Sequence, residues 1–506
     1  MTEPITPTPE QAKLARKLGR QQRAIAIFWR HLTAIRLTLL ALGLLWIAAI
    51  PHPLLWKKTF IDEHALMPSG ARPLWGWDDV AAADHYLEGV EHLASRNASW
   101  AARADFFEEQ FKRSGVETGR SEDSVYALVT PPRSEGTEAI LVSANWLSRD
   151  GVPNVRGISL LLALAPFFKA HGHYAFDIYL VVGDGYIEGL NDFISSYTGR
   201  ANIWTAFNID YPYHSYSTIG LYYEGVNGRL PNQDIVNVAA HVSRWLGGTE
   251  AAPHARDPRA PHTYATGLAT LVDHFKFAAL GRPSAAHGVL AKHRIDAVTI
   301  YAVPAEGPHG FYSLGKIVEG TVRSANNLLE RLHASFFFYL LPGPERFLPV
   351  GHYLPAAVLL GASLTLGGFD CPAPLEGATW LLVPLAFGAI GWLLGSPLVA
   401  ALAPMLPKPK GDARRSLAAL AHLGYGALVP TLAMVNFPQA LLLAGLAITF
   451  LAPLPRAGKF AIAGLNPALL AAAGVDLRAE WETWGNVAWP AVFAVWMPLA
   501  GISAMI

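Results

Sequence analysis

The chain has 506 residues, 52% hydrophobic and only 15% charged, a balance too apolar for an ordinary soluble enzyme and expected of a membrane protein. Lys and Arg (39) balance Asp and Glu (39), so no basic excess draws the chain to nucleic acid and no acidic excess suggests a disordered tail. The single cysteine, Cys371, excludes an internal disulfide framework, a Cys-x-x-Cys redox pair and any multi-cysteine zinc or iron-sulfur site.

Residues 1–36 carry seven basic side chains (Lys13, Arg16, Lys17, Arg20, Arg23, Arg30, Arg36) against Glu3 and Glu10. The run that follows, 37–56, has about the 20 residues needed to cross a bilayer and closes on Lys57 and Lys58. The positive-inside rule predicts a cytoplasmic N-terminus and a signal-anchor helix. A cleaved signal peptide fits less well, because its basic region would be unusually long.

Residues 57–346 are mixed in polarity, with no run fit to span, and read as one folded α/β domain across the membrane. Asn97-Ala98-Ser99 is a glycosylation sequon, consistent with a lumenal site. Periodicity predicts amphipathic helices over 80–93 and 103–114, strands over 124–130 and 139–144, and a buried helix over 157–170. Short buried strands follow over 177–182, 206–209, 218–223 and 295–300. Such alternation predicts a mostly parallel or mixed sheet covered on both faces, with chemistry to be sought just past the strand ends.

Those ends carry Asn145, Asp184 and Asp210, and His287 precedes a late strand. Two aspartates and a histidine suit a divalent metal. The same residues equally serve as turn and capping groups, since Asp and Asn at strand ends bond the following backbone. His-Glu-x-x-His, Gly-x-Ser-x-Gly, a phosphate-binding loop and Gly-x-Gly-x-x-Gly opening a helix are all missing. His171 and His173 read as a solvated turn. In Tyr223–Asn237, Gly225 and Gly228 suit turns closed to other residues, and Pro231 suits a helix start. Leu328, Leu332, Phe336 and Tyr339 fall on one helical face, which Pro342-Gly343-Pro344 would end.

Residues 347–506 are almost continuously apolar, with spans expected near 347–369, 377–396, 416–434, 437–454 and 485–506, a shorter candidate at 459–474, and a re-entrant piece at 397–406. The basic loop Lys408, Lys410, Arg414, Arg415 should be cytoplasmic, which one simple span between Cys371 and Lys408 does not satisfy. Internal charges are sparse, which disfavours an ion relay or a transporter.

The Tyr223–Asn237 segment, GRPSAAHG at 281–288, the LLERLHASFFFYLLPG junction at 328–343 and the order of one span, a large polar domain and several spans together resemble the glycosylphosphatidylinositol anchor attachment protein 1 family. That family is the Gaa-type subunit of the GPI transamidase. The resemblance implies a domain similar to di-zinc aminopeptidases with a degenerate site. Asn145 stands at a histidine ligand, Pro153 near the bridging aspartate and Gly183 at the general base. Asp184, Asp210 and His287 remain as vestigial ligands. Without bridge and base, peptidase chemistry should be lost, so no cofactor is expected beyond, at most, one divalent ion.

The resemblance further implies a non-catalytic subunit in the endoplasmic-reticulum membrane with its large domain lumenal. Its partners would be a caspase-like catalytic subunit, other membrane subunits, the GPI lipid and a proprotein with a C-terminal GPI signal. The alternative is an active membrane-anchored metalloaminopeptidase.

Overall fold

The computed structural model describes residues 9–62, 66, 73–328, 338–452 and 476–506. The chain opens with α1 (Pro9–Ala49), whose apolar stretch is long enough to cross a membrane. It leaves that helix through Pro51 to Trp56 and forms the short strand β1 (Lys57–Lys58).

The polar domain follows in the order α2 (Trp77–Ser95), α3 (Trp100–Arg113), β2 (Glu117–Arg120), β3 (Ser124–Val129), β4 (Glu138–Asn145), α4 (Val155–Ala170), β5 (Asp177–Gly183), α5 (Glu188–Ser196), β6 (Asn202–Asp210) and β7 (Tyr216–Tyr222). It continues with α6 (Gln233–Trp245), β8 (Ala251–Pro253), α7 (Tyr264–Ala278), a 3-10 helix (Ala286–His293), β9 (Asp296–Pro304) and α8 (Phe311–Asn326). The eight strands β2 to β9 make one mixed sheet in the order β2-β3-β5-β4-β6-β9-β7-β8. Strands β5, β4, β6 and β9 run parallel at its centre, so their C-terminal ends share one edge.

Burial follows the strand pattern. On β4 the residues Ile140, Val142 and Ala144 face the core under α2, α3 and α4, while Ala139 and Leu141 face a second core under α5 and the 3-10 helix. Every residue of β5 is buried, as a central parallel strand covered on both faces requires. Helix α4 carries eleven buried residues in its sixteen, which explains its near-continuous apolar sequence.

The junction with the membrane half differs from the sequence expectation. Residues 329–337 lie outside the described residues, but Tyr339–Gly343 is a strand, β10, rather than the end of a helix. It pairs antiparallel with β11 (Arg346–Pro349), and Lys57 of β1 pairs with Phe347. Pro342, Gly343 and Pro344 therefore lead into a hairpin, with Glu345 at φ 51°, and tie the chain leaving α1 to the chain re-entering the bundle. The helix expected at Pro231 starts two residues later, because Asn232 caps it by accepting the Asp234 N–H.

The bundle contains α9 (Val350–Thr365), α10 (Pro374–Leu393), α11 (Gly411–Val435), α12 (Phe437–Leu451), α13 (Leu477–Trp484) and a last helix α14 (Ala488–Met505) with an internal π-turn at Val492–Trp496. Among the described residues, five helical stretches are long and apolar enough to span, α1 included; α12, at fifteen residues, is shorter than the span expected at 437–454. The candidate at 459–474 lies outside the described residues.

Pro397–Met405, expected as a re-entrant piece, is a 3-10 segment between α10 and α11, and Arg415 near the start of α11 lies 3.8 Å from Asp370 in the turn between α9 and α10. A Cβ added at Gly501 of α14 would lie 3.2 Å from both Leu406 and Pro384, so the returning chain is level with the middle of α10. Helix α11 then runs from the basic loop up to Asn436, whose side chain bonds the polar domain.

Candidate functional site

The parallel strands deliver Asn145, Asp184 and Asp210 to one sheet edge, as the sequence predicts, but each has a partner of its own. Asp184, just past β5, pairs with Arg103 of α3 at 3.0 Å, and that guanidinium lies 4.3 Å from the Trp146 ring. Asp210, at the end of β6, accepts the Arg149 N–H at 3.0 Å on Oδ2, while its Oδ1 finds no partner. Burial pushes the Asp210 carboxyl up to about 6, against the pull of hydrogen bonds from Ser148 and Arg149. The Arg149 guanidinium lies 3.6 Å from the Tyr222 ring centre and 5.5 Å from that of Tyr301.

His287, buried in the 3-10 helix, belongs to a hydrogen-bonded chain through the sheet. Ser143 Oγ donates to Asn208 Oδ1 (3.0 Å), Asn208 Nδ2 donates to Thr299 Oγ1 (3.2 Å), and Thr299 lies 2.9 Å from His287 Nδ1. The other ring nitrogen, Nε2, is buried without a hydrogen-bond partner. Burial holds this imidazole neutral, with its pKa pushed down to about 4.

The expected ligand set is therefore not assembled as one site. Among the described residues no group of three His, Cys, Asp or Glu side chains is placed to hold a metal ion. Asp184 is taken up by the Arg103 cation, and Asp210 by the Arg149 backbone N–H, so the two carboxylates are engaged separately. Asn145 is buried and donates to the Tyr186 carbonyl at 2.6 Å, and Pro153 forms an isolated bridge with Leu147. We expect Arg103→Met to destabilise the protein by about 1–3 kcal/mol, and the added change Asp184→Asn to recover most of that loss, as read by thermal unfolding of the full chain in detergent.

Sequence reading missed a second cluster. Glu224, just past β7 and fully buried, accepts from His254 Nε2 and His274 Nδ1 on the same oxygen, both at 2.8 Å. His254 adopts a left-handed backbone, φ 53°, to reach it. Burial opposes the charge on Glu224, but the two imidazoles outweigh it and hold the carboxyl well below its ordinary 4.5. His274 belongs to α7, whose other side carries Leu271 and Phe275 into the membrane bundle, with Phe275 edge-on to Phe437. The three residues are 30 and 50 positions apart, so no local spacing announces them.

Below this clasp the polar domain meets the bundle through asparagines. Asn436 Nδ2 donates to the carbonyls of Ala278 (2.7 Å) and Asn227 (3.1 Å), and Asn227 Oδ1 accepts the Val487 N–H at 2.8 Å. Gly228 takes φ 70°, as its turn requires, whereas Gly225 has an ordinary φ of −92° and is needed because a Cβ there would meet Ala291 at 2.4 Å. Beside these contacts lies an apolar cavity of about 380 Å³, walled by Leu280, Leu432, Leu443, Leu446, Leu477 and Val495.

The family described as Gaa1-like, GPI transamidase component, matches residues 121–387, more than half of the 506. The chain belongs to this family. Among its curated relatives, the GPI transamidase component GAA1 of Saccharomyces cerevisiae is 28% identical over 370 residues, covering 70% of this chain and 59% of the relative. The GPI transamidase component gaa1 of Schizosaccharomyces pombe is 25% identical over 383 residues, covering 69% and 66%. The chain thus spans less than two thirds of the length of either.

Solved structures similar to this Gaa1-like chain include a putative zinc-dependent exopeptidase from Bacteroides vulgatus, 14% identical, covering 51% of this chain and 98% of that one with a TM-score of 0.31. Another is BSAP, a zinc aminopeptidase from Bacillus subtilis, 12% identical, covering 40% and 50% with a TM-score of 0.27.

Proposed function

We propose that this Gaa1-like chain is a non-catalytic subunit of a GPI transamidase that holds the GPI lipid, and with it the protein substrate, in position for attachment. The observation that carries this reading is the apolar cavity set among membrane helices directly beneath the polar domain. A cavity of a few hundred Å³ at such a junction is the size and chemistry expected for part of a lipid chain. Holding the lipid there raises the effective concentration of its amine, which is what aminolysis of an acyl-enzyme needs to outrun hydrolysis.

On this reading the nucleophile sits on a separate caspase-like subunit, and other membrane subunits complete the assembly. The half-exposed Cys371 lies in the turn between α9 and α10, at the opposite end of α9 from the polar domain, and takes no part. The Arg103–Asp184 ion pair supports a site without peptidase chemistry, since the cation neutralises a carboxylate that a metal would need. We expect purified protein to show no zinc-dependent aminopeptidase activity; stoichiometric zinc with metal-dependent cleavage of aminoacyl substrates would replace this reading with the metalloaminopeptidase.

On this reading the polar domain lies in the endoplasmic-reticulum lumen; the positive-inside rule, which favours a cytoplasmic side for the basic N-terminal segment and the basic 408–415 loop, supports it. Asn97 is exposed in the turn between α2 and α3, as a glycosylation acceptor must be. Asn97→Gln is expected to remove a glycosidase-sensitive gel shift seen in the parent protein expressed in a eukaryotic host; the same mobility for both, with and without glycosidase, would argue against the lumenal placement.

A further inference from the structure

We infer that Arg282 recognises the phosphate of the lipid whose chain enters the apolar cavity, an assignment that rests on the lipid reading above. Arg282 stands two residues past Leu280, which lines the cavity, and its side chain is 42% exposed. Its Nε lies 2.6 Å from Glu480 Oε1, and among the described residues its Nη groups carry no other hydrogen bond or ion pair. Glu480 is three residues beyond Leu477, another wall residue, and its side chain is only 7% exposed. The second Glu480 oxygen accepts from Asn486 Nδ2 at 2.7 Å, and the same Nδ2 donates to the Leu280 carbonyl at 3.0 Å.

This arrangement orients a guanidinium without consuming it. Glu480, itself held by Asn486, fixes the Nε side of the planar fork and leaves the Nη donors of a part-exposed side chain, two residues from the wall residue Leu280, open to bidentate recognition of phosphate oxygens. The rim lies where the chain passes from polar domain to bundle, as the Asn436 bonds to Ala278 and Asn227 show. From there Gln439, Leu443 and Leu446 descend two turns of α12, roughly 10 Å of apolar depth. Val492, Ala494, Val495 and Trp496 of the π-turn also line the cavity, a widened helix segment of the kind that recurs at functional sites. An amphipathic molecule with a phosphate next to its chains matches this order of charge and apolar surface; an uncharged glyceride offers no anion to the Nη donors.

The test uses the full chain within its purified complex and two photoreactive lipids carrying the label in the acyl chain, a phosphatidylinositol and a diacylglycerol. The parent protein is expected to label about tenfold more with the phosphatidylinositol. Arg282→Gln should abolish that preference while diacylglycerol labelling persists, and Arg282→Lys should keep part of it. Glu480→Gln, which loses the ion pair that orients the fork, should reduce the preference to an intermediate value; a preference as full as the parent's would show that Glu480 does not position Arg282.

Leu443→Trp separates the two ideas. If it leaves labelling by both probes unchanged, the cavity itself is not the lipid site. If it blocks both while Arg282→Gln keeps the phosphate preference, the cavity stands and the role of Arg282 is overturned. Free oleate displacing the phosphatidylinositol probe as well as a phospholipid does would show that any anion suffices, which contradicts recognition of phosphate.

Discussion

Replacing Leu443 with tryptophan is expected to lower GPI attachment by roughly 100-fold while leaving the subunits assembled. Leu443 is a buried wall residue of the cavity beneath the polar domain. An indole there occupies space that a lipid chain would otherwise fill. Excluding about four methylene groups, at about 0.8 kcal/mol each, removes about 3 kcal/mol of binding. The cavity accepts the added volume, so the usual overpacking cost of about 1–3 kcal/mol should be reduced rather than added in full. Attachment of GPI to a reporter proprotein in membranes gives the activity, and co-purification of the other subunits reports assembly. Full activity with an intact complex would show that the cavity does not hold the substrate lipid.

Glu224→Ala should destabilise the protein by about 3–5 kcal/mol, because two buried imidazoles lose the acceptor they share. In a domain of this size the loss lowers the unfolding midpoint by on the order of 10 °C. The pH behaviour follows from the sign of the shift. The folded-state carboxyl is held well below 4.5, so the stability it contributes is fully present above 4.5 and is lost only as pH falls toward the depressed value. The difference between parent and variant should therefore be the same at pH 5.5 and pH 7.5 as far as Glu224 itself is concerned, and should shrink only in stronger acid. Thermal unfolding at a series of pH values checks this. An unchanged midpoint in Glu224→Ala would mean that the clasp does not hold α7 to the sheet.

Much of the architecture is legible from the chain itself. Runs such as Asp177–Gly183, apolar on both faces, announce central parallel strands, and the near-uniform apolarity of Val155–Ala170 announces a buried helix. The strand over 339–343 is misread because FFFYLL carries no periodicity that separates strand from helix, and its pairing with Arg346–Pro349 and, through that strand, Lys57–Lys58 is non-local. The strand-end rule brings Asn145, Asp184 and Asp210 to one edge, as observed. Their chemistry is not legible, because what decides it is Arg103 arriving from α3 and Arg149 folding over Tyr222. The Glu224 clasp escapes for the same reason: its histidines come from the loop after β8 and from α7, and only the tertiary fold brings them together.

We have proposed that this Gaa1-like chain positions substrates for chemistry performed on another subunit. Mild-detergent purification of the tagged full chain, followed by mass spectrometry of everything that accompanies it, tests that claim most directly. The account predicts a caspase-like cysteine protease and further multi-span subunits in stable proportion to this chain. Recovery of this chain alone, in a detergent that preserves other membrane complexes, would contradict it.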